Sequence, residues 1–122
     1  MLSSLFKPAA ARAPQMPLSE AIAKVAAGQL TLIDIRDPGE ISATGHATGA
    51  LRIPLSVLRM KADPASPERH PALATDKPIA LYCASGARAG MAARMLAHFG
   101  YSEVHNLGGL RAWQAAGGPV SR

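Results

Sequence analysis

One cysteine occurs in the 122 residues, Cys83, and its neighbours decide whether it does chemistry or merely packs. It follows the apolar run Ile79-Ala80-Leu81-Tyr82, which Pro78 and the small residues after it mark as a buried strand. Ala84, Ser85, Gly86 and Ala87 come next, then Arg88. A helical pattern takes over, with Met91, Met95 and Phe99 four apart and Ala92 and Leu96 beside them. Cys83 is therefore expected at a strand tip, in a tight loop that opens a helix. Free backbone N–H groups and the positive end of the helix dipole favour an anion there and draw the proton off a thiol. The loop amides and Arg88 would together form an anion nest. A lone cysteine is otherwise most simply a small buried hydrophobe. No histidine lies next to Cys83 in sequence, and only the fold decides whether His46 or His105 comes near it. His70, His98 and His105 are unclustered, and with one cysteine no metal site and no cofactor are expected.

The elements that must hold this loop alternate in type. Leu18–Ala27 reads as a helix with Leu18, Ile22 and Val25 on one face and Gly28 past its end. Thr31–Ile35 is a β-branched buried strand. In Arg36-Asp37-Pro38-Gly39-Glu40, Asp37 suits a helix cap and Pro38 a first helical position. Gly45–Ala50 reads as a loop, Leu51–Ile53 as a short strand closed by Pro54, and Leu55–Met60 as a helical turn or two. Ala62–Thr75 is expected to be irregular. The helix Ala87–Phe99 ends at Gly100, and Ser102–Leu107 holds another strand, which Gly108-Gly109 is expected to break. Leu110–Ala116 is a last helix, with Trp113 in the core. Alternation with short connections predicts an α/β three-layer sandwich with a mainly parallel sheet and helices on both faces. Ligands of such sheets bind at the carboxyl ends of strands, where Asp34 and Cys83 fall.

The composition suits one globular domain, placed at residues 16–120. Met1–Gln15 has no continuous apolar segment and reads as a flexible lead-in rather than an export signal. No stretch has the length of a membrane span. The net charge of +5 favours anionic partners, but the basic residues are scattered and not interleaved with aromatics, so no nucleic-acid partner is expected. A monomer in the cytoplasm is the expected state.

Four elements in order resemble the rhodanese family of sulfurtransferases: Asp34-Ile35-Arg36 with Glu40, Gly45-His46 with Gly49-Ala50 and Ile53-Pro54, Cys83-x-x-Gly86-x-Arg88, and Leu107-Gly108-Gly109 with Trp113, Gly117 and Pro119. The sequence departs from the family's pattern at Ile41, where an aromatic is common, and at Ala89, where serine is. The resemblance implies a five-stranded parallel sheet and sulfur transfer through a persulfide on Cys83. It implies that Ala84, Ser85, Gly86, Ala87 and Arg88 bind a small anionic sulfur donor such as thiosulfate. Asp34, Arg36, Glu40 and His46 are then structural residues near the site, with Glu40 expected to partner Arg36. Family phosphatases have five residues between Cys and Arg, whereas four stand here, a loop suited to a sulfur atom rather than a phosphate. A protein sulfur donor or acceptor is a further partner class. A rhodanese-like binding or sulfur-carrier module with little thiosulfate turnover is the alternative.

Overall fold

The structure is a computed structural model describing residues 16–122. The expected lead-in 1–15 lies outside the described residues. The elements run α1 (Leu18–Ala26), β1 (Thr31–Asp34), α2 (Pro38–Thr44), β2 (His46–Ala47), β3 (Leu51–Arg52), α3 (Leu55–Ala62), β4 (Ile79–Cys83), α4 (Ala87–His98), β5 (Val104–Gly109), α5 (Leu110–Ala115) and β6 (Val120–Ser121). Four strands form one parallel sheet in the order β3-β1-β4-β5.

Side-chain alternation along the strands divides the core into two layers. On one face Ile33, Ile35, Ile79, Leu81 and Cys83 pack with Leu58 and Ala62 of α3 and Ala89, Ala92 and Leu96 of α4. On the other, Leu32, Ala80 and Tyr82 pack with Ala21 of α1 and Leu110 and Trp113 of α5. All five residues of β4 are buried. That explains its unbroken apolar run: a central parallel strand is covered on both faces. Each fully buried aliphatic side chain contributes about 1.5–3 kcal/mol.

The three-layer α/β architecture is the expected one, with four differences. Among the described residues the sheet has four strands, not the five the resemblance implies. His46–Ala47, expected in a loop, instead pairs antiparallel with Val120–Ser121 as a separate ribbon. Two residues carry no periodic signal, and only the return of the distant chain end makes them a strand. Gly108-Gly109 does not break β5, which runs through both. A Cβ on Gly109 would overlap the Ala84 carbonyl, so glycine is what allows the strand to continue against that loop. Met91, expected in the core stripe, is half exposed, while Met95 and Phe99 pack against the core from its margin. The buried face of α4 is instead Ala89, Ala92 and Leu96, because small residues let the helix lie close on the sheet.

Candidate active site

From β1 the chain passes to β3 on one side, and from β4 to β5 on the other. The connections diverge between the carboxyl ends of β1 and β4, and this switch point opens the crevice where such sheets bind ligands. Cys83 is the last residue of β4. Residues 84–86 turn away from the sheet, and α4 begins at Ala87. Gly86 makes the turn with φ +105°, a left-handed conformation that a side chain would strain.

The loop closes around the sulfur. Cys83 Sγ accepts the backbone N–H of Gly86 at 3.0 Å and of Ala89 at 3.4 Å. Burial pushes the thiol pKa up. The backbone N–H groups of Ala89, Gly86, Ser85 and Arg88 outweigh it, and the net direction is down. The residue is only 1% exposed, so only a small or slender reactant could reach Sγ.

Arg88 is tied to Glu40 of α2. Its guanidinium makes a bidentate pair with Glu40, Nη1 to Oε1 at 2.7 Å and Nη2 to Oε2 at 2.8 Å. Glu40 therefore partners Arg88, not Arg36 as expected from the sequence. Two residues of spacing bring Arg36 to Asp34, whereas α2 carries Glu40 across the crevice toward α4. The Asp37 N–H, donating to Glu40 Oε1 at 3.0 Å, helps aim the carboxylate. Arg88, with that backbone bond behind it, lowers the Glu40 pKa from 4.5 to about 2. About a third of each side chain is exposed, so the pair stabilises by no more than about 1 kcal/mol. A carboxylate with a depressed native pKa stabilises the fold above its unfolded value and loses that as pH falls through the native one. Glu40→Gln is expected to cost up to about 1 kcal/mol at neutral pH, with the difference shrinking between pH 4.5 and about 2. Urea unfolding over a pH series measures this, and a pH-independent difference would assign the loss to packing instead.

Asp34 and Arg36 form a second, buried pair behind the loop. Asp34 Oδ2 lies 2.7 Å from Arg36 Nη2, and Oδ1 accepts Arg36 Nε at 3.0 Å. The Tyr82 hydroxyl donates to Asp34 Oδ2 at 2.6 Å and accepts the Ala47 N–H at 2.8 Å. Arg36 also donates to Thr44 Oγ1 and to the Gly45 carbonyl. Burial, then donation to Asp34, holds the Tyr82 hydroxyl well above the usual phenol range, so it stays a donor. The network ties α2 and β2 to the two central strands through Asp34 and Arg36. Tyr82 belongs to it as well, and a tyrosine inside an apolar run gives no hint of that.

Of the other expected residues, Ala84, Ser85 and Gly86 form the loop itself and Ala87 is the first residue of α4. His46 lies in the ribbon opposite Ser121, and no hydrogen bond joins it to the loop among the described residues. His105 pairs with Glu103 on β5, Nε2 to Oε2 at 2.7 Å, away from the sulfur. Asn106 carries no signal in the sequence, yet it donates through Nδ2 to the Gly86 carbonyl at 3.0 Å and accepts the Gly108 N–H at 2.8 Å. A cleft of about 310 Å³ beside the loop is lined by Met16, Leu18, Ser85, Gly86, Asn106 and Leu107 among others. Among the described residues no three His, Cys, Asp or Glu cluster as metal ligands, and no helix is long and apolar enough to cross a membrane.

Comparison with known proteins agrees on the fold. Residues 18–116 match the family described as Rhodanese-like domain. The uncharacterized protein YqhL of Bacillus subtilis is 42% identical over 83 residues, 67% of this chain and 59% of that protein. A sulfurtransferase of Allochromatium vinosum is 38% identical over 90 residues, 73% of this chain and 76% of that one. A solved structure from Rhodopseudomonas palustris, described as a protein of unknown function and possible tyrosine phosphatase, superposes with a TM-score of 0.80 at 32% identity. It covers 99% of this chain and 94% of its own. The chain thus spans about three fifths of the length of YqhL.

Proposed function

The chain belongs to the rhodanese-like domain family, and from that premise we propose that it is a sulfurtransferase carrying a sulfane sulfur on Cys83. The observation behind this reading is the ring of backbone N–H groups on a buried sulfur, Gly86 and Ala89 foremost. Such a ring stabilises a thiolate, and it would equally stabilise the terminal anion of a persulfide.

The Cys83 thiolate attacks the outer sulfur of thiosulfate. A sulfur–sulfur bond forms to Sγ, the bond to the oxidised sulfur breaks, and its electron pair leaves with sulfite. The product is a persulfide anion, so charge balances with no proton transferred. That removes the need for a general base, in keeping with the absence of a histidine hydrogen-bonded to Sγ among the described residues. A thiophilic acceptor then takes the outer sulfur and the thiolate returns. Two half-reactions through a covalent intermediate give ping-pong kinetics. Loop residues Ala84 to Ala87 offer their backbone to the donor, and Arg88 contributes a cation at the rim.

The same geometry argues against phosphoryl chemistry. A phosphate needs a loop wide enough for its three oxygens and an arginine free to grip two of them. Four residues separate Cys83 from Arg88, and both terminal nitrogens of Arg88 are held by Glu40.

The test is intact-mass spectrometry after incubation with thiosulfate. A gain of one sulfur atom, removed by cyanide, is expected. If thiosulfate gives none and a low-molecular-weight persulfide does, the class of reaction stands with a different donor. No gain from either would leave a domain that binds partners without carrying sulfur.

A further inference from the structure

Something must hold the loop amides on the sulfur, and α4 does not do it alone. Its N-cap is Gly86, which has no side chain to offer, and no side-chain capping bond is made there. Apart from the Cys83 sulfur, Asn106 is the one side chain among the described residues that hydrogen-bonds the backbone of residues 84–88. It arrives from β5, where Leu81 pairs with Asn106 but Cys83 with Gly109. Between those pairs β5 advances three residues while β4 advances two, a bulge made possible by Gly108 at φ +86°. The bulge brings the Gly108 N–H onto Asn106 Oδ1 at 2.8 Å, which fixes the amide and leaves Nδ2 to donate to the Gly86 carbonyl at 3.0 Å.

We propose that Asn106 is a positioning residue for the nucleophile: by gripping the Gly108 N–H and the Gly86 carbonyl together, it fixes the Gly86 turn and so keeps the loop N–H groups aimed at Cys83 Sγ. Gly86 is the pivot. Its N–H donates to the sulfur, while its carbonyl accepts both Gly90 N–H, the first bond of α4, and Asn106. Without Asn106 the helix bond survives, but a glycine with wide backbone freedom sits between sulfur and helix. Gly86 also rests on Gly108, where an added Cβ would come within 3.3 Å of the Gly108 Cα, so the bulge braces the turn from behind. The proposal rests on Cys83 acting as a thiolate nucleophile, as in the proposed function, but not on any particular sulfur donor.

The experiment is the pH dependence of iodoacetamide alkylation of Cys83 in the full chain. In Asn106→Ala the midpoint is expected to move to higher pH and the rate at pH 7 to fall roughly three- to tenfold. The limiting rate at high pH stays within about twofold, since access to the sulfur is unchanged. Asn106→Ser, which is polar but too short to bridge both groups, should shift the same way. His105→Ala, on the same strand but outside the loop, should leave the profile in place. Trp113 fluorescence and thermal melting report folding. A folded variant whose profile coincides with wild type overturns the proposal, even if it melts earlier. Loss of folding in both variants overturns it too, because Asn106 would then be required by the fold as a whole. Alkylation needs no sulfur donor, so a shifted profile beside a failed persulfide test separates this inference from the proposed function.

Discussion

Cys83→Ser is expected to gain no sulfur from thiosulfate and to lose sulfur transfer by a factor on the order of 10³–10⁶, the scale of removing the nucleophile from a covalent mechanism. The comparison is informative because the substitution is small. Serine fits the same space and its oxygen accepts the same Gly86 and Ala89 N–H groups, so the loop has no reason to open. What disappears is the readier ionisation, since a hydroxyl holds its proton far more tightly than a thiol whose pKa is lowered by loop N–H groups. The polarisable sulfur, on which the attack on another sulfur depends, goes with it. Intact mass before and after cyanide, with a sulfite or thiocyanate assay for turnover, measures both parts. Full activity in the variant would remove Cys83 from the mechanism.

The second large effect is on stability. Asp34→Ala strands the Arg36 guanidinium, which is only 3% exposed, and takes the acceptor from the Tyr82 hydroxyl. Breaking a buried pair from one side costs about 3–5 kcal/mol. Against a total of roughly 5–15 kcal/mol, that is enough to leave the protein partly unfolded near body temperature. The loss comes from the abandoned charge rather than from the pair's own attraction. The double variant Asp34→Leu with Arg36→Met should therefore lose less than the sum of the single changes. Urea or thermal unfolding of the two single variants and the double gives the answer. An Asp34→Ala variant within about 1 kcal/mol of wild type would mean that water reaches and solvates Arg36.

The local sequence carries these two sites to different extents. Cys83 was legible because its signal is local: strand, small loop, arginine and helix are consecutive in the chain, and the backbone donors belong to that loop. The Asp34–Arg36 pair was half legible, since a spacing of two residues suggests contact at a strand end. Its third member, Tyr82, was hidden in an apolar run whose hydrophobicity reported only burial. Glu40 has two cations, Arg36 and Arg88, within reach, and only the direction of α2 chooses Arg88. Asn106 carried no signal, because its partners, Gly86 and Gly108, are joined to it by the pairing of β4 with β5.

Local sequence is enough for the alternation of strands and helices, and with it a parallel sheet covered on both faces. It also determined the placing of the one thiol at a strand end before a helix. Those follow from hydrophobic period and turn chemistry, which act within a few residues. Tertiary structure decided that His46–Ala47 pairs with Val120–Ser121, that β5 continues through two glycines, and that Arg88 is held by Glu40. It also decided that Asn106 hydrogen-bonds the Cys83 loop at the Gly86 carbonyl. Each of these joins residues distant in the chain, or chooses among partners that the sequence leaves equivalent. That information exists only once packing has brought the segments together.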